Sequence, residues 1–261
     1  MHRRVFLSSL LFLKLAAAQS PYRSYSPADN ILLGVTAAGG LTAHILGNNM
    51  APLTPEQAAA LDRDDINRFD RPATFNLSQE AATCSDYGMR AGLLLPLALL
   101  ADATMRTEAD DVAYLYLETL AVAGVLTELT KVTVQRIRPW VYNEEVPLEK
   151  KEGVEAKKSF FSGHTSASFA GTVFVAKVFS DFHPDSKWTP YIWAGSLSLA
   201  SAVAYWRVRA GRHFPTDVIA AAFVSGAVAY FIPELHKREN SNTALRVSAT
   251  QPMMISLRYN F

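Results

Sequence analysis

Three short stretches of the chain carry side chains that together could move a phosphoryl group. They are Lys131 with Arg138-Pro139, Ser162-Gly163-His164, and Arg207 with His213 and Asp217. Fixed cations hold anionic oxygens, a hydroxyl and a glycine turn close around them, and two imidazoles oriented by a carboxylate supply attack and proton transfer. Such chemistry requires no metal.

Each stretch has its own physical logic. Lys131 and Arg138 are seven residues apart, almost two helical turns, which places both on one helix face about 10 Å apart along the axis. Pro139 disfavours helical geometry at Arg138, so this arginine is expected at a frayed helix end, free to enter a pocket. Arg136 reads as an ordinary solvated charge. Ser162-Gly163-His164 precedes an apolar helix, where unpaired N–H groups favour an anion, Ser162 can donate, and Gly163 permits close backbone approach. His164 then projects over the bound group. His213 and Asp217 are four residues apart, a separation that lets the carboxylate take Nδ1–H and leave Nε2 as the nucleophilic lone pair. Arg207 supplies the third cation, while Arg209 and Arg212 read as surface or entrance charges.

The elements that must position these residues are helical. Six apolar segments, 31–47, 91–105, 112–130, 165–179, 191–206 and 218–232, are rich in Ala, Leu and Val and too long for ordinary strands. Asp110-Asp111 suit a helix start and Pro215 a first helical turn, with Pro139 and Pro233 read as closing the third and sixth helices. An up-and-down six-helix bundle puts alternate connections at one pole, so the connections between helices three and four and between five and six emerge together. The stretch 48–88 joins helices one and two at that pole and could roof the site. Its Leu61-Asp62-Arg63-Asp64-Asp65 run reads as a solvated turn, because no histidine or cysteine stands at ligand spacing. Alternation over 244–261 predicts a short C-terminal β-hairpin turning at 250–252.

Arg3-Arg4, the apolar run 5–15 and Ala16-Ala17-Ala18-Gln19 read as a signal peptide over 1–18, leaving one domain over 19–261. Lys and Arg number 25 against 24 Asp and Glu, and the resulting net charge of +1 gives no reason to expect a nucleic-acid partner. Cys84 is the single cysteine, so no intramolecular disulfide is possible, and it is expected to fill space. Residues 188–206 carry no charge and the first segment carries only His44, whereas Glu118, Glu128 and Lys177 interrupt other helices. A periplasmic, membrane-associated bundle is the expected setting, with full embedding the alternative.

The three motifs resemble those of the type 2 phosphatidic acid phosphatase superfamily, which also contains the vanadium-dependent haloperoxidases. Lysine, six residues, arginine-proline is matched by Lys131 to Pro139. Proline-serine-glycine-histidine is matched by Phe161-Ser162-Gly163-His164, and the third motif by Trp206-Arg207 through His213 to Asp217. Phe161 replaces a proline and Trp206 a serine, which bears on turn rigidity and hydrogen bonding near the phosphate. The resemblance implies an all-α fold and a phosphatase without metal or other cofactor, acting on phosphate monoesters or pyrophosphates, with lipid phosphates the expected substrates. It further implies that Lys131, Arg138, Ser162, Gly163 and Arg207 hold the phosphate. His213, oriented by Asp217, attacks phosphorus, and His164 protonates the leaving oxygen. Vanadate-dependent halide oxidation in the same pocket is one alternative, and a non-catalytic phospholipid-binding envelope protein is another.

Overall fold

The computed structural model describes residues 20–23, 27–238, 243–248 and 254–259. The expected leader over 1–18 and the expected turn at 250–252 lie outside the described residues. The fold is all-α in its body: α1 Pro27–Asn48, α2 Pro55–Ala59, α3 Gln79–Leu94, α4 Ala103–Thr107, α5 Ala109–Val134, α6 Gly163–Phe182, α7 Thr189–Arg209 and α8 Pro215–Leu235. Two terminal strands, Thr243–Ser248 and Met254–Tyr259, pair antiparallel with Thr243 opposite Tyr259 and Ser248 opposite Met254.

One helix differs from expectation. The second long helix covers Gln79–Leu94 and not 91–105, because Ser78 caps its start through Ala81 N–H and Pro96 cannot continue the α-helical ladder. Residues Leu95–Ala101 instead form a 3₁₀ stretch, followed by the short α4. Part of the expected roof is therefore a core helix. Pro233 sits inside the last turns of α8, which runs on to Leu235.

α6 is the hub. Twelve of its residues are buried, and it packs against α3, α5, α7 and α8. Close approach to α3 depends on Gly171, where a Cβ would lie 2.2 Å from the Gly92 carbonyl oxygen. Small hydroxyl residues continue the seam: Ser166 Oγ lies 2.8 Å from Thr127 Oγ1 and 2.6 Å from Ser225 Oγ, joining α5, α6 and α8. Below it Leu115, Phe174, Val178 and Ile232 form the apolar core.

The outer surface is apolar in a way a water-soluble bundle would not tolerate. Ile31, Val35, Leu41, Leu117, Ile219, Phe223 and Phe231 are all exposed. Among the described residues, three helical stretches are long and apolar enough to cross a membrane: Asp29–Asn48, Ala109–Tyr142 and Pro215–Leu235. Cys84 is exposed and fills no core space.

Candidate active site

The last residues of α5 and α7 and the first of α6 and α8 meet at one pole, and there the three motifs gather. α5 stops because Gln135 adopts a left-handed conformation at φ 50°, its N–H returning to the Lys131 carbonyl. Arg138 consequently lies in an extended stretch beyond the helix and not on its face with Lys131. Its Nε donates to the Glu155 carbonyl at 2.8 Å and its Nη2 lies 3.3 Å from the Glu155 carboxylate. Lys131 approaches from α5, its Nζ 2.6 Å from Glu128 and 3.0 Å from where a Cβ on Gly163 would stand. Glycine at 163 thus makes room for the ammonium group.

Ser162 caps α6 and is fully buried. It accepts from Thr165 Oγ1 at 3.0 Å, which leaves its own proton for an acceptor in the pocket. His164, in the first turn of α6, lies with Nε2 2.8 Å from Asp86 Oδ1. Burial pushes its pKa down to about 4, aided by Arg207 and Lys131 and opposed by Asp86. Asp86 stands on α3, in the stretch that the sequence presents as a connection, and no motif spacing marks it.

Arg207 is the most telling group. It is buried at the end of α7, yet among the described residues its Nε has no hydrogen-bond partner. Nη1 reaches Ser85 Oγ at 3.2 Å, and Asp86 stays 3.7 Å away. Burial and the charges of Arg138 and Arg212 lower its pKa to about 10, so it remains a cation at neutral pH. Arg212, read as a surface or entrance charge, contributes to the same positive field. A buried cation with an unused donor is costly unless an anion completes it.

The orientation of His213 departs from expectation. Its Nδ1–H donates to the Ser159 carbonyl at 2.7 Å, while Asp217 Oδ2 stays 3.7 Å from Nδ1. Asp217 acts one step back: its Oδ2 accepts from Ser159 Oγ at 2.5 Å and from Phe214 N–H at 2.8 Å, fixing the segment that presents the carbonyl. The tautomer is the anticipated one, with the lone pair on Nε2, but a peptide oxygen sets it. Burial drives the His213 pKa down to about 3, with Arg138 and Arg207 pushing the same way against Asp217, so the ring is neutral at pH 7.

Arg136, read from sequence as a solvated charge, is instead the keystone behind the site. It donates to Asp217 Oδ1 at 2.5 Å and Asp70 Oδ2 at 2.8 Å, and stacks 4.1 Å over the Phe214 ring. Asp70 also accepts from Thr216 N–H and Oγ1, tying the 48–88 stretch to the start of α8. That stretch contributes support from behind through Asp70. Its Asp62, Asp64 and Asp65 are solvated, as expected. Trp206 packs against Ala81, Ala82 and Ala210, and Phe161 is buried.

The PAP2 superfamily model matches residues 113–241, which contain all three motifs. No curated protein matches the chain. Among solved structures, the chain is similar to a transmembrane PAP2-type phosphatidylglycerolphosphate phosphatase from Bacillus subtilis. That likeness has 22% identity and a TM-score of 0.48, and it covers 76% of this chain and 94% of the other.

Proposed function

We propose that this chain, which belongs to the PAP2 superfamily, is a metal-independent phosphatase that hydrolyses lipid phosphate monoesters or pyrophosphates through a phosphohistidine. The observation that carries the reading is the buried Arg207 guanidinium with its unpaired Nε, set in a field shared with Lys131, Arg138, His164 and His213. Phosphate oxygens would complete these donors together with Ser162 Oγ and the backbone at Gly163. The neutral His213 Nε2 then forms a bond to phosphorus as the bond from phosphorus to the leaving oxygen breaks. His164, which takes up a second ring proton once the bound phosphate offsets Arg207 and Lys131, gives that oxygen a proton. Because its Nε2–H is engaged by Asp86, the exchangeable proton is carried on Nδ1. In the second half, His164 Nδ1 takes a proton from water as the water oxygen attacks phosphorus, releasing inorganic phosphate and neutral His213.

The apolar exterior supports a lipid substrate met at the membrane surface, and exported, periplasm-facing placement forms part of the proposal. Fractionation with a carbonate wash tests the placement, since an embedded chain stays with the membrane pellet.

The activity test is phosphate release from lipid phosphates in mixed micelles with a chelator present. Wild type should turn over, and H213A should neither turn over nor accumulate an acid-labile phosphoenzyme. Full activity in H213A refutes the nucleophile. Vanadate should inhibit, and halide oxidation on adding vanadate with peroxide would reassign the pocket to haloperoxidase chemistry.

A further inference from the structure

A second group of ionisable side chains lies at the opposite pole, outside everything the phosphate chemistry uses. Asp29 near the start of α1, Glu118 in α5 and His236 just beyond α8 are each at least 95% buried. One ligand atom from each falls within 4.8 Å of the others. His236 lies 19 residues beyond Asp217 on the α8 path, which is about 28 Å along a helix axis.

The hydrogen bonding in this group is incomplete. His236 Nδ1–H donates to the Ile232 carbonyl at 2.8 Å, which turns Nε2 toward the two carboxylates. Nε2 lies 3.2 Å from Asp29 Oδ1 and 3.5 Å from Glu118 Oε2. Among the described residues, neither Glu118 oxygen nor His236 Nε2 has a hydrogen-bond partner. A neutral imidazole would point its lone pair at two anions. The two Glu118 oxygens would meanwhile stand in an apolar interior without a donor.

A divalent ion resolves both problems. It neutralises two carboxylates, accepts the Nε2 lone pair, and explains why Nδ1 is committed to a backbone carbonyl, the usual second contact of a ligating histidine. Ligands held about 2.0–2.1 Å from a tetrahedral ion stand roughly 3.4 Å from one another. The two spacings at Nε2 bracket that value. One imidazole with two carboxylates suits zinc or a similar transition ion better than magnesium or calcium.

We propose that Asp29, Glu118 and His236 form a structural site for a divalent transition-metal ion, zinc foremost, that staples α1 to α5 and α8. α1 needs such a tie, since it packs chiefly on α5 and most of its side chains face outward. The ion stands apart from catalysis, so a brief exposure to chelator in an activity assay and the loss of this buried ion are separate events.

The test uses the full chain in detergent, stripped by long dialysis against chelator, re-equilibrated with zinc, desalted, and analysed for metal by mass spectrometry. Wild type should retain about one zinc per chain and melt roughly 5–10 °C higher than the stripped form. E118Q, which keeps shape and removes charge, and H236Q should retain only a trace, with no zinc-dependent shift in melting. Cobalt in place of zinc should give wild type the strong visible absorption of a tetrahedral site. That reading needs no variant, so misfolding of E118Q or H236Q leaves the proposal testable. A wild-type chain that retains no zinc and gives no such cobalt spectrum overturns it, as does zinc retention unchanged by E118Q in a folded protein.

Discussion

Replacing Arg136 by alanine should damage this protein more than replacing either of the other non-motif arginines nearby, Arg209 or Arg212. The guanidinium bridges Asp70 and Asp217, whose side chains are both 0% exposed while its own is 23% exposed. Removing one partner of a buried ion pair costs about 3–5 kcal/mol, because the remaining charge stays in place without compensation. Here the lower end applies. Asp70 keeps Thr216 N–H, Thr216 Oγ1 and Asn67 Nδ2, and Asp217 keeps Ser159 Oγ and Phe214 N–H. About 3 kcal/mol, at roughly 2–4 °C per kcal/mol for a chain of this size, lowers the melting temperature of R136A by about 6–12 °C. The cycle with D70N isolates the cause. D70N removes the charge that R136A strands, so the double variant should be more stable than the sum of the singles by about 1 kcal/mol or more.

The acid dependence of that effect has a definite sign. Burial raises the Asp70 pKa, but hydrogen bonds from Arg136 and Thr216 overcome it and hold the group below the usual carboxylate range. Its stabilising contribution is therefore complete above the ordinary aspartate value and fades as pH falls through the folded value. The gap in melting temperature between wild type and R136A should hold from pH 7 down to about pH 4 and narrow only below it. Strict additivity in the cycle, or a loss of less than about 2 °C in R136A, would show that Arg136 is the solvated charge its sequence context suggests.

Sulfate, a dianion with no titratable proton of its own in this range, should bind more tightly as pH falls from 7 to 5. Burial, with Arg207 and Lys131, holds His164 near pKa 4; the bound anion offsets the two cations and so draws a proton onto the ring. The slope should approach tenfold per pH unit and flatten in H164N; a dissociation constant independent of pH refutes the coupling. D86N should cut turnover by about 10–100-fold while phosphate binding changes little, read as a fall in kcat at constant KM. G171A should cost about 1–3 kcal/mol in thermal unfolding, because its Cβ would stand 2.2 Å from the Gly92 carbonyl.

The apolar segments were legible because runs of Ala, Leu and Val longer than a strand leave little choice but helix. α3 escaped that test for a physical reason. Its buried residues are Ala81, Ala82, Ser85, Gly88 and Gly92, small side chains that admit Trp206 and α6 without making an apolar stripe. Asp86 and Ser85 were lost with it. The support behind His213 was illegible for another reason. Arg136 meets Asp70 and Asp217 across 66 and 81 residues of sequence, and the Ser159 carbonyl that holds the imidazole is a backbone atom common to every residue type. Spacing reveals groups that share one helix turn; it is silent on groups brought together by the bundle.

The charges around the pocket divide by the exposure of their partners, and this division separates binding from framework. Lys131 and Arg138 are paired with Glu128 and Glu155, carboxylates 51% and 72% exposed, which an incoming phosphate can release to water at little cost. Arg136 is paired with two carboxylates that have no water to return to, so it cannot serve an incoming anion without stranding them. Arg207 lies between these cases, buried like the framework yet left with an unused donor like the binding groups. A phosphate entering the pocket therefore exchanges solvent-exposed partners on one side and fills a vacant donor on the other. The imidazole it must meet stays held by a network that the exchange does not disturb. That is the preorganisation that charge-dominated catalysis requires.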